Sequence, residues 1–306
     1  MKILRILYLT ILIVICKTNV CSQDSTSIMF YNVENLFDTE NDTLKDDDEF
    51  LPNAQKRWTN SKWFKKTHKI SQVITAANYP DIIGFCEVEN ITVLKKLVAS
   101  TLLWKENYEI LHFESKDQRG IDVALIYKPK KLNLLSVKPI FINLKGKRNT
   151  RDILSVTLAN KKDTFALFVN HWPSRYGGRI KSIPKRLIAA KTLKQHMDSV
   201  SINFSNRKVI AMGDFNDETK DSSLTLFKDY FFTPFKFKGT IKYKGRWQTF
   251  DQFILSKNII SNSEILNFEF LLEPDRKYKG VKPYRTFIGP RYRNGFSDHL
   301  PILLKL

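Results

Sequence analysis

Five short apolar runs in the sequence are bordered by polar side chains that could do chemistry. In chain order, these places hold Asn32, Glu87, Asn170 with His171, Asp214 with Asn216, and Asp298 with His299. An acid or amide at the end of a buried strand costs free energy unless it binds a partner, such as a metal ion or a substrate. A single strand-end Asn is more often a turn former, and a single Asp-His pair is more often a salt-bridged loop. Five such places in one chain predict a site that combines carboxylate, amide and imidazole groups.

Short strands interleaved with a few helices would position these groups. Apolar runs predict strands at 28–33, 82–88, 108–113, 122–127, 134–142, 152–158, 165–171, 208–213, 249–255, 264–270 and 301–306. Amphipathic or capped segments predict helices at 60–78, from a cap at 90 to about 103, and 182–200. Several strands are apolar on both faces, which suits fully buried strands. The pattern predicts one α/β domain, a four-layer αββα sandwich with two face-to-face mixed sheets flanked by helices.

Two of the motifs are specific in their order and spacing. Gly-Asp-Phe-Asn stands at 213–216 and Ser-Asp-His at 297–299, after the segments that contain Asn32 and Glu87. Together they resemble the endonuclease/exonuclease/phosphatase superfamily, which includes deoxyribonucleases, abasic-site endonucleases, neutral sphingomyelinases and inositol-polyphosphate phosphatases. The resemblance runs from residue 28 to the end of the chain and implies a deoxyribonuclease-like fold. One departure is Cys86, which stands where the family usually has Gln.

The resemblance implies a divalent cation and names its ligands. It places Glu87 as the principal carboxylate, with Asn32 and Asp298 as further metal or phosphate contacts. The ion in this family is usually Mg²⁺, a hard cation that prefers oxygen ligands, and Mn²⁺ and Ca²⁺ are the alternatives.

The resemblance also implies the catalytic groups. Asp214 would orient or deprotonate the attacking water, with Asn216 on the phosphate. His171 and His299 would flank the phosphate and stabilise charge in the transition state. Asp251 would fix the tautomer and ring angle of His299.

Four further residues are expected near the site. Asp122 opens a predicted strand and either orients His171 or pairs with a neighbouring Arg. Arg175 and Arg179 bracket two glycines after His171, and they are candidate phosphate contacts, with Asn170 as a further substrate contact.

The first 22 residues are typical of a signal peptide. Lys2 and Arg5 precede a short apolar stretch, 6–15, and a cleavage site follows Ser22. Ten residues are too few to span a bilayer as a helix, although an uncleaved anchor or a lipidated cysteine are alternatives. We expect a secreted or periplasmic protein with one domain over 23–306. Cleavage would leave Cys86 as the single cysteine, which excludes an internal disulfide and predicts an inert core thiol.

The charge of the chain indicates a polyanionic partner. Lys and Arg number 50 and Asp and Glu 31, which gives a net charge of +19. The sequence therefore predicts a secreted, metal-dependent phosphodiesterase, foremost an endonuclease that hydrolyses DNA or also RNA. A lipid or sugar phosphoesterase and a non-catalytic polyanion-binding protein are the alternatives. We expect a monomer with a nucleic-acid substrate, no stable protein partner and no transmembrane segment in the mature chain.

Overall fold

The computed structural model describes residues 25–146 and 149–306. Within these ranges the helices are α1 (Asn60–Ala76), α2 (Ile91–Ala99) and α3 (Arg179–Asn203). The first nine strands are β1 (Ser27–Leu36), β2 (Ile82–Val88), β3 (Glu109–His112), β4 (Asp122–Tyr127), β5 (Asn133–Ile140), β6 (Ile153–Ala159), β7 (Thr164–His171), β8 (Lys208–Asp214) and β9 (Phe231–Phe232). The others are β10 (Ile241–Tyr243), β11 (Arg246–Gln248), β12 (Asp251–Leu255), β13 (Asn262–Ile265), β14 (Leu272–Pro274), β15 (Val281–Pro283), β16 (Phe287–Ile288), β17 (Arg291–Tyr292) and β18 (Ile302–Lys305).

Twelve of these strands form two six-stranded sheets. The first sheet has the order β13-β18-β1-β2-β4-β3, and the second has the order β5-β6-β7-β8-β12-β9. Each sheet is mixed, since β1 runs parallel to β2 and β7 runs parallel to β8 while their other neighbours are antiparallel. The crossover from β1 to β2 contains α1, and the crossover from β7 to β8 contains α3. Parallel neighbours need such a long connection, usually a helix.

The two sheets pack face to face, with helices on the outside. One apolar core joins side chains of both sheets and includes residues of α1 and α2. A second core packs α3 against the second sheet through Ala190, Leu193 and Met197. This arrangement confirms the predicted four-layer αββα sandwich. Its physical basis is that both faces of each sheet are apolar and must be covered.

The helices begin close to where the sequence predicts, with one exception. Asn90 caps α2, because its side chain accepts a hydrogen bond from the backbone N–H of Val93 at 3.0 Å. The third helix starts at Arg179, three residues before the predicted cap at Ser182. Gly177 and Gly178, at φ values of 77° and 113°, turn the chain into this helix. The Ser182 hydroxyl instead donates to the carbonyl oxygen of Gly178.

The predicted strands differ from the structure in one segment, and they omit the two-residue strand β9 and the small hairpins. The run 264–270 is not one strand: β13 ends at Ile265, and a 3₁₀ turn follows at Glu269–Leu271. The two-stranded units β10–β11, β14–β15 and β16–β17 were not predicted. Their strands are two or three residues long, too short for an alternating pattern to be read from sequence.

Two sequence-based predictions concern the N-terminus and the cysteine. The predicted signal peptide, residues 1–22, lies outside the described residues. In the part of the chain that is described, no helix has the length and apolarity to cross a membrane. Cys86 is a free, fully buried thiol, as expected of a core residue, and burial raises its pKa well above the usual value.

Gly213 is required by the close approach of β7 and β8. A Cβ atom at this position would lie 2.4 Å from the carbonyl oxygen of Asn170 and 2.7 Å from its Cβ. Because the obstruction is largely backbone, a side chain here must push the two strands apart. Asp214 is the residue after Gly213, so the close packing of β7 against β8 also fixes the position of Asp214 at the sheet edge where the polar groups lie.

We predict that Gly213→Ala lowers the free energy of unfolding by about 1–3 kcal/mol, the usual cost of overpacking. Urea unfolding followed by circular dichroism measures it. Gly84→Ala is the matched control, since its Cβ would meet the end of the Met212 side chain at 2.9 Å, and a thioether can move aside. A loss at Gly213 no larger than the loss at Gly84 would contradict this interpretation.

Candidate active site

The polar groups meet because the strands that carry them end at one edge of the sandwich. Asn32 and Cys86 are register partners in the parallel pair β1–β2, and His171 and Asp214 are partners in the parallel pair β7–β8. Asp251 opens β12, which is antiparallel to β8, and pairs with Asp214. Carboxyl ends of parallel strands and amino ends of their antiparallel neighbours fall on the same edge.

Short distances across both sheets define the centre of the site. Asn32 Nδ2 lies 3.3 Å from Glu87 Oε1 and 3.2 Å from Asp214 Oδ2. His171 Nε2 lies 3.8 Å from Glu87 Oε1 and 3.7 Å from Asp214 Oδ2. His299 Nε2 lies 3.8 Å from Asp214 Oδ2. The structure thus brings together residues that are far apart in the sequence, with Asp214 at their centre.

His299 is held by Asp251. The ring Nδ1 lies 2.7 Å from Asp251 Oδ2. The carboxylate therefore fixes the orientation of the imidazole, which is the role that the family resemblance implies for Asp251. Burial disfavours the charged ring, but the charges of Asp251 and Asp214 outweigh it, and the pKa of His299 is raised well above its usual value. The imidazole therefore carries a positive charge beside Asp214 at neutral pH.

Asp214 is a buried carboxyl group that titrates near neutrality. Burial raises its pKa to about 7, the charge of His299 opposes this rise, and the charges of Asp251 and Glu87 add to it. Its Oδ1 accepts the backbone N–H of Asn216 at 2.9 Å. A carboxyl group with such a pKa can accept a proton from water at neutral pH.

His171 has the opposite electrostatic environment. It is buried, and burial together with the guanidinium charges of Arg151 and Arg119 lowers its pKa well below the usual value. Among the described residues, its Nδ1 has no hydrogen-bond partner. The two imidazoles of the site are therefore different: His299 is charged, and His171 is neutral.

Asp122 does not orient His171, contrary to one of the two sequence-based expectations. Its Oδ1 accepts the backbone N–H of Ser115 at 3.0 Å, and its Oδ2 lies 3.7 Å from His112 Nε2. The alternative partner, an Arg, is also not found among its contacts in the described chain. Asp122 is the first residue of β4 and pairs with Val88 in the first sheet, whereas His171 is the last residue of β7 in the second sheet. The register of β4 therefore places Asp122 beside Ser115 and His112.

Asn170 is a structural residue and does not face the cleft. It is fully buried, and its Nδ2 donates to the carbonyl oxygen of Phe168 at 2.9 Å while its Oδ1 accepts from Trp172 Nε1 at 3.1 Å. Successive residues of a strand point to opposite faces. Since His171 faces the site, its neighbour Asn170 cannot, and the expected substrate contact is not formed by this side chain.

Arg175 and Arg179 are paired with acids, which differs from the expectation of free phosphate contacts. Arg175 donates to the Asn216 carbonyl oxygen at 2.8 Å and to Asp217 and Asp221 at 3.1 and 2.8 Å. Arg179 forms an ion pair with Asp221. These pairs fix the loop that follows Asp214, so the geometry gives Arg175 a positioning role. The sequence did not predict these ion pairs, because no local pattern identifies Asp217 and Asp221 as partners of the two arginines.

Asn216 and Asp298 lie at the rim of the site with partners of their own. Asn216 has a left-handed φ of 52°, and its Nδ2 donates to the Trp172 carbonyl oxygen at 3.2 Å. Asp298 Oδ2 accepts from Arg285 at 2.9 Å. The segment that carries Asp298 is tied to β1 because the Ser297 hydroxyl donates to the Asn32 carbonyl oxygen at 2.7 Å.

The sequence analysis missed a buried network behind Asp298. Glu34 accepts the backbone N–H groups of Thr286 and Phe287, and Arg285 reaches both Glu34 and Asp298. Lys66 is also buried and donates to Thr286 Oγ1. Burial raises the pKa of Glu34 to about 7 and lowers that of Lys66 to about 8.

Two sequence signals point to this network. Glu34 follows Asn32 by two residues inside an apolar run, and Lys66 stands four residues before Ile70 on the apolar stripe of α1. A charged residue at such a position must find a buried partner.

The donor set of the cleft fits a hard divalent cation. Glu87, Asp214, Asp251 and Asp298 supply carboxylate oxygens, and ligand atoms of Asp214, Asp251 and His299 lie within 4.8 Å of one another. Glu87 and Asp298 are the ligands that the family resemblance implies, and they lie outside this cluster of described residues. Asn32 is turned away from this role, because its Nδ2 faces the carboxylates while its Oδ1 accepts the Glu34 N–H at 3.0 Å. The amide would have to rotate to offer oxygen.

Comparison with known proteins places this geometry in context. A family described as the Endonuclease/Exonuclease/phosphatase family matches residues 27–306. No curated protein matches the chain.

Three solved structures have a similar fold. The catalytic domain of human Nocturnin is 18% identical with a TM-score of 0.60, and the match covers 92% of this chain and 93% of that one. A mannosyl-6-phosphatase from Bacteroides thetaiotaomicron is 15% identical with a TM-score of 0.62 and coverages of 92% and 99%. Truncated TDP2 from Caenorhabditis elegans is 15% identical with a TM-score of 0.61 and coverages of 92% and 97%. At these identities the similarity establishes the fold.

We predict that Asp251→Asn lowers the pKa of His299, because burial then acts on the ring with less opposing charge. Imidazole ¹⁵N chemical shifts recorded against pH in EDTA measure it. In the unmodified protein, the pKa of His299 should lie well above the usual value of about 6.5, and the pKa of His171 should lie well below it. Since the folded pKa of His299 exceeds the unfolded value of about 6.5, its contribution to stability is complete below about pH 6.5 and is lost as pH rises through the folded value.

Glu264→Gln is the control for this titration. Glu264 is an exposed carboxylate paired with Lys305 on β18, far along the strand from the site. If this change moved the pKa of His299 as much as Asp251→Asn does, the shift would not originate from the hydrogen bond in the cleft.

Proposed function

Because the chain belongs to the endonuclease/exonuclease/phosphatase family, whose members hydrolyse phosphoester bonds, we propose that it is a Mg²⁺-dependent endonuclease that hydrolyses the phosphodiester bonds of DNA. The reaction class, phosphoester hydrolysis, follows from membership of the family. Fold alone does not assign a substrate, which must be argued from the site and its surroundings.

The charged groups of the cleft have complementary tasks in such a hydrolysis. Asp214, with a pKa of about 7, accepts a proton from the attacking water. His299 keeps its positive charge near the scissile phosphate and stabilises the negative charge that develops there. Neutral His171, whose Nε2 lies 3.7 Å from Asp214 Oδ2, donates a hydrogen bond to the phosphate from this nitrogen. A bound Mg²⁺, held by Glu87 and Asp298, would polarise the phosphoryl oxygens.

Two hairpins beside His299 carry the assignment to nucleic acid. We call β10–β11 (residues 241–248) and β14–β15 (residues 272–283) the basic hairpins. Ile241 forms a β-bridge with His299, and Thr240 accepts the Leu300 N–H at 2.8 Å. Lys242 joins the two hairpins, since its Nζ lies 2.9 Å from both the Lys279 carbonyl oxygen and Asp275 Oδ2. The hairpins therefore hold a fixed position relative to the catalytic imidazole.

The outer surface of the basic hairpins suits a nucleic-acid strand. Their exposed cations are Lys244, Arg246, Arg276, Lys277 and Lys279, none of which has an acidic partner within the described ranges. Tyr243 and Tyr278 are 62% and 42% exposed. Cations contact phosphates and aromatic rings stack on bases, and this combination is typical of surfaces that bind single strands or unstacked ends.

We predict that the protein converts supercoiled plasmid to nicked and linear DNA in Mg²⁺ and that EDTA abolishes this activity. Asp214→Ala and His299→Ala should lower the rate about 10²- to 10⁴-fold, because each removes a general base or an electrostatic stabiliser. Glu87→Gln should raise the Mg²⁺ concentration required for half-maximal rate. Gel electrophoresis of plasmid products, with Mn²⁺ and Ca²⁺ in parallel, gives these quantities.

His68→Ala is the control, since His68 is a partly exposed residue of α1 outside the cleft. RNA, sphingomyelin, a phosphoinositide and mannose 6-phosphate are assayed beside DNA. Hydrolysis of a lipid or sugar phosphoester without cleavage of nucleic acid would reject the nuclease assignment. Activity that survives EDTA would reject the metal.

We also propose that the protein is exported and cleaved after Ser22. The support is the sequence of the first 22 residues, with its basic start and short apolar stretch. Expression of the full chain in a bacterial host should yield an extracytoplasmic protein whose N-terminus is Gln23. Intact mass spectrometry of the fractionated protein measures this, and a cytoplasmic protein that retains residues 1–22 would contradict export.

A further inference from the structure

A cationic cavity of about 530 Å³ opens beside His171. Its lining comes from the segment that follows His171 and begins with Pro173 and Ser174, from the loop before β4, from the loop before β6 and from the first turns of α3. Its charged lining consists of Arg119, Arg151, Lys181 and Lys185 against one acid, Asp117. Cavities of this size hold small ligands or one or two nucleotide units.

Two buried polar groups in the lining lack partners. Thr150 is 2% exposed and Arg151 is 3% exposed. Within the described chain, neither the Thr150 hydroxyl nor the Arg151 Nε forms a hydrogen bond. The other nitrogens of Arg151 are satisfied, by Asp117 Oδ2 at 3.2 Å and by the Trp172 carbonyl oxygen at 2.7 Å. Unpaired buried donors cost free energy, and a bound acceptor in the cavity would remove that cost.

Two of the four cations of the cavity, Arg119 and Arg151, share Asp117 as their acidic partner, and the two lysines have none among the described residues. Arg175 and Arg179 are paired with Asp217 and Asp221, as described above. Lys181 and Lys185, by contrast, have no ion-pair partner among the residues that the structure describes. Lys181, Ser182 and Lys185 belong to the first two turns of α3, a 25-residue helix, and the N-terminal end of a helix favours an anion.

The cavity is joined to the catalytic groups through one carbonyl. The Trp172 carbonyl oxygen accepts from Arg151 Nη2 and from Asn216 Nδ2. An anion on Arg151 would therefore lie one side chain away from the loop that carries Asp214. This connection suits a second phosphate of the same substrate, since every nucleotide of a nucleic-acid strand carries a phosphate.

We propose that this cavity is a subsite for a second phosphate group of the substrate, bound by Arg119, Arg151, Lys181, Lys185 and the Thr150 hydroxyl. The subsite rests on the proposed function, because it assumes that the scissile phosphate lies between His171 and His299. It makes the enzyme select substrates that carry a phosphate next to the scissile one.

The first test measures binding of pyrophosphate by calorimetry in EDTA at low salt, where the acids of the catalytic cleft repel anions. The double variant Lys181→Ala/Lys185→Ala should bind at least tenfold more weakly, because two cations are lost. Thr150→Val should also bind about tenfold more weakly, as expected for one hydrogen bond to a charged group. Thr150→Val leaves the charge unchanged, so it distinguishes a built site from general attraction.

The control is Lys161→Ala/Lys162→Ala, which removes two exposed lysines at the opposite end of β7. It should bind pyrophosphate like the unmodified protein. Equal affinity in the unmodified protein and the Lys181→Ala/Lys185→Ala variant, or no binding to the unmodified protein, would overturn the subsite.

The second test compares hydrolysis of a thymidine dinucleotide with and without a 5′-phosphate. The unmodified protein should prefer the phosphorylated dinucleotide at least tenfold in kcat/KM, and Lys181→Ala/Lys185→Ala should bring that ratio close to one. A ratio that the variant leaves unchanged would overturn the subsite. If neither dinucleotide is hydrolysed, the plasmid assay decides the nuclease function separately, and pyrophosphate binding alone decides whether the cavity is a phosphate site.

Discussion

The structure depends on the balance of negative charge at one edge of the sandwich. Glu87, Asp214, Asp251 and Asp298 lie there; Asp214 and Asp251 are buried and the other two are partly buried, and uncompensated buried carboxylates are costly. In the described chain, His299 and Arg285 supply the positive charge, and the amide nitrogen of Asn32 faces two of the acids. The remaining excess of carboxylate is what makes the site suited to a divalent cation.

The arginines and lysines of the chain have two different tasks. Arg175, Arg179 and Arg186 are bound to Asp217 or Asp221, so they hold the loop after Asp214 in place. The exposed cations of the basic hairpins named above, and Lys181 and Lys185, lack such partners within the described residues, whereas Lys242 and Lys282 of the hairpins are paired with Asp275 and Glu273. Net charge alone does not distinguish these groups. The positions of the acids distinguish the two groups. Cations without an acidic partner remain in the basic hairpins beside His299 and in the cavity lined by the segment that follows His171.

The separation between the catalytic strand ends and the loops around them explains why the fold supports different substrates. The catalytic groups stand on strand ends whose positions are set by the sheets, whereas the hairpins and the loop before α3 lie around them and can vary without disturbing the core. The solved structures with this fold include a phosphatase named for a sugar phosphate. Substrate selection by this chain is therefore expected to reside in the basic hairpins and in the cavity beside His171.

The sequence by itself determined the architecture and most members of the site. Apolar runs located the main strands, and acids, amides and imidazoles at their ends predicted the convergence that the structure has at Asn32, Glu87, His171, Asp214 and His299. These are local signals, since a strand end and a short motif can be recognised without knowing the partner.

Only the tertiary structure decided which residue contacts which. Asp122 lies against His112 rather than His171 because the register of β4 places it there, and Asn170 points away because strand faces alternate. Arg175 is neutralised by acids 42 and 46 residues away, and Glu34 is bound to a segment more than 250 residues away. Pairing over such distances depends on how the sheets pack, a property of the whole chain that no local pattern contains.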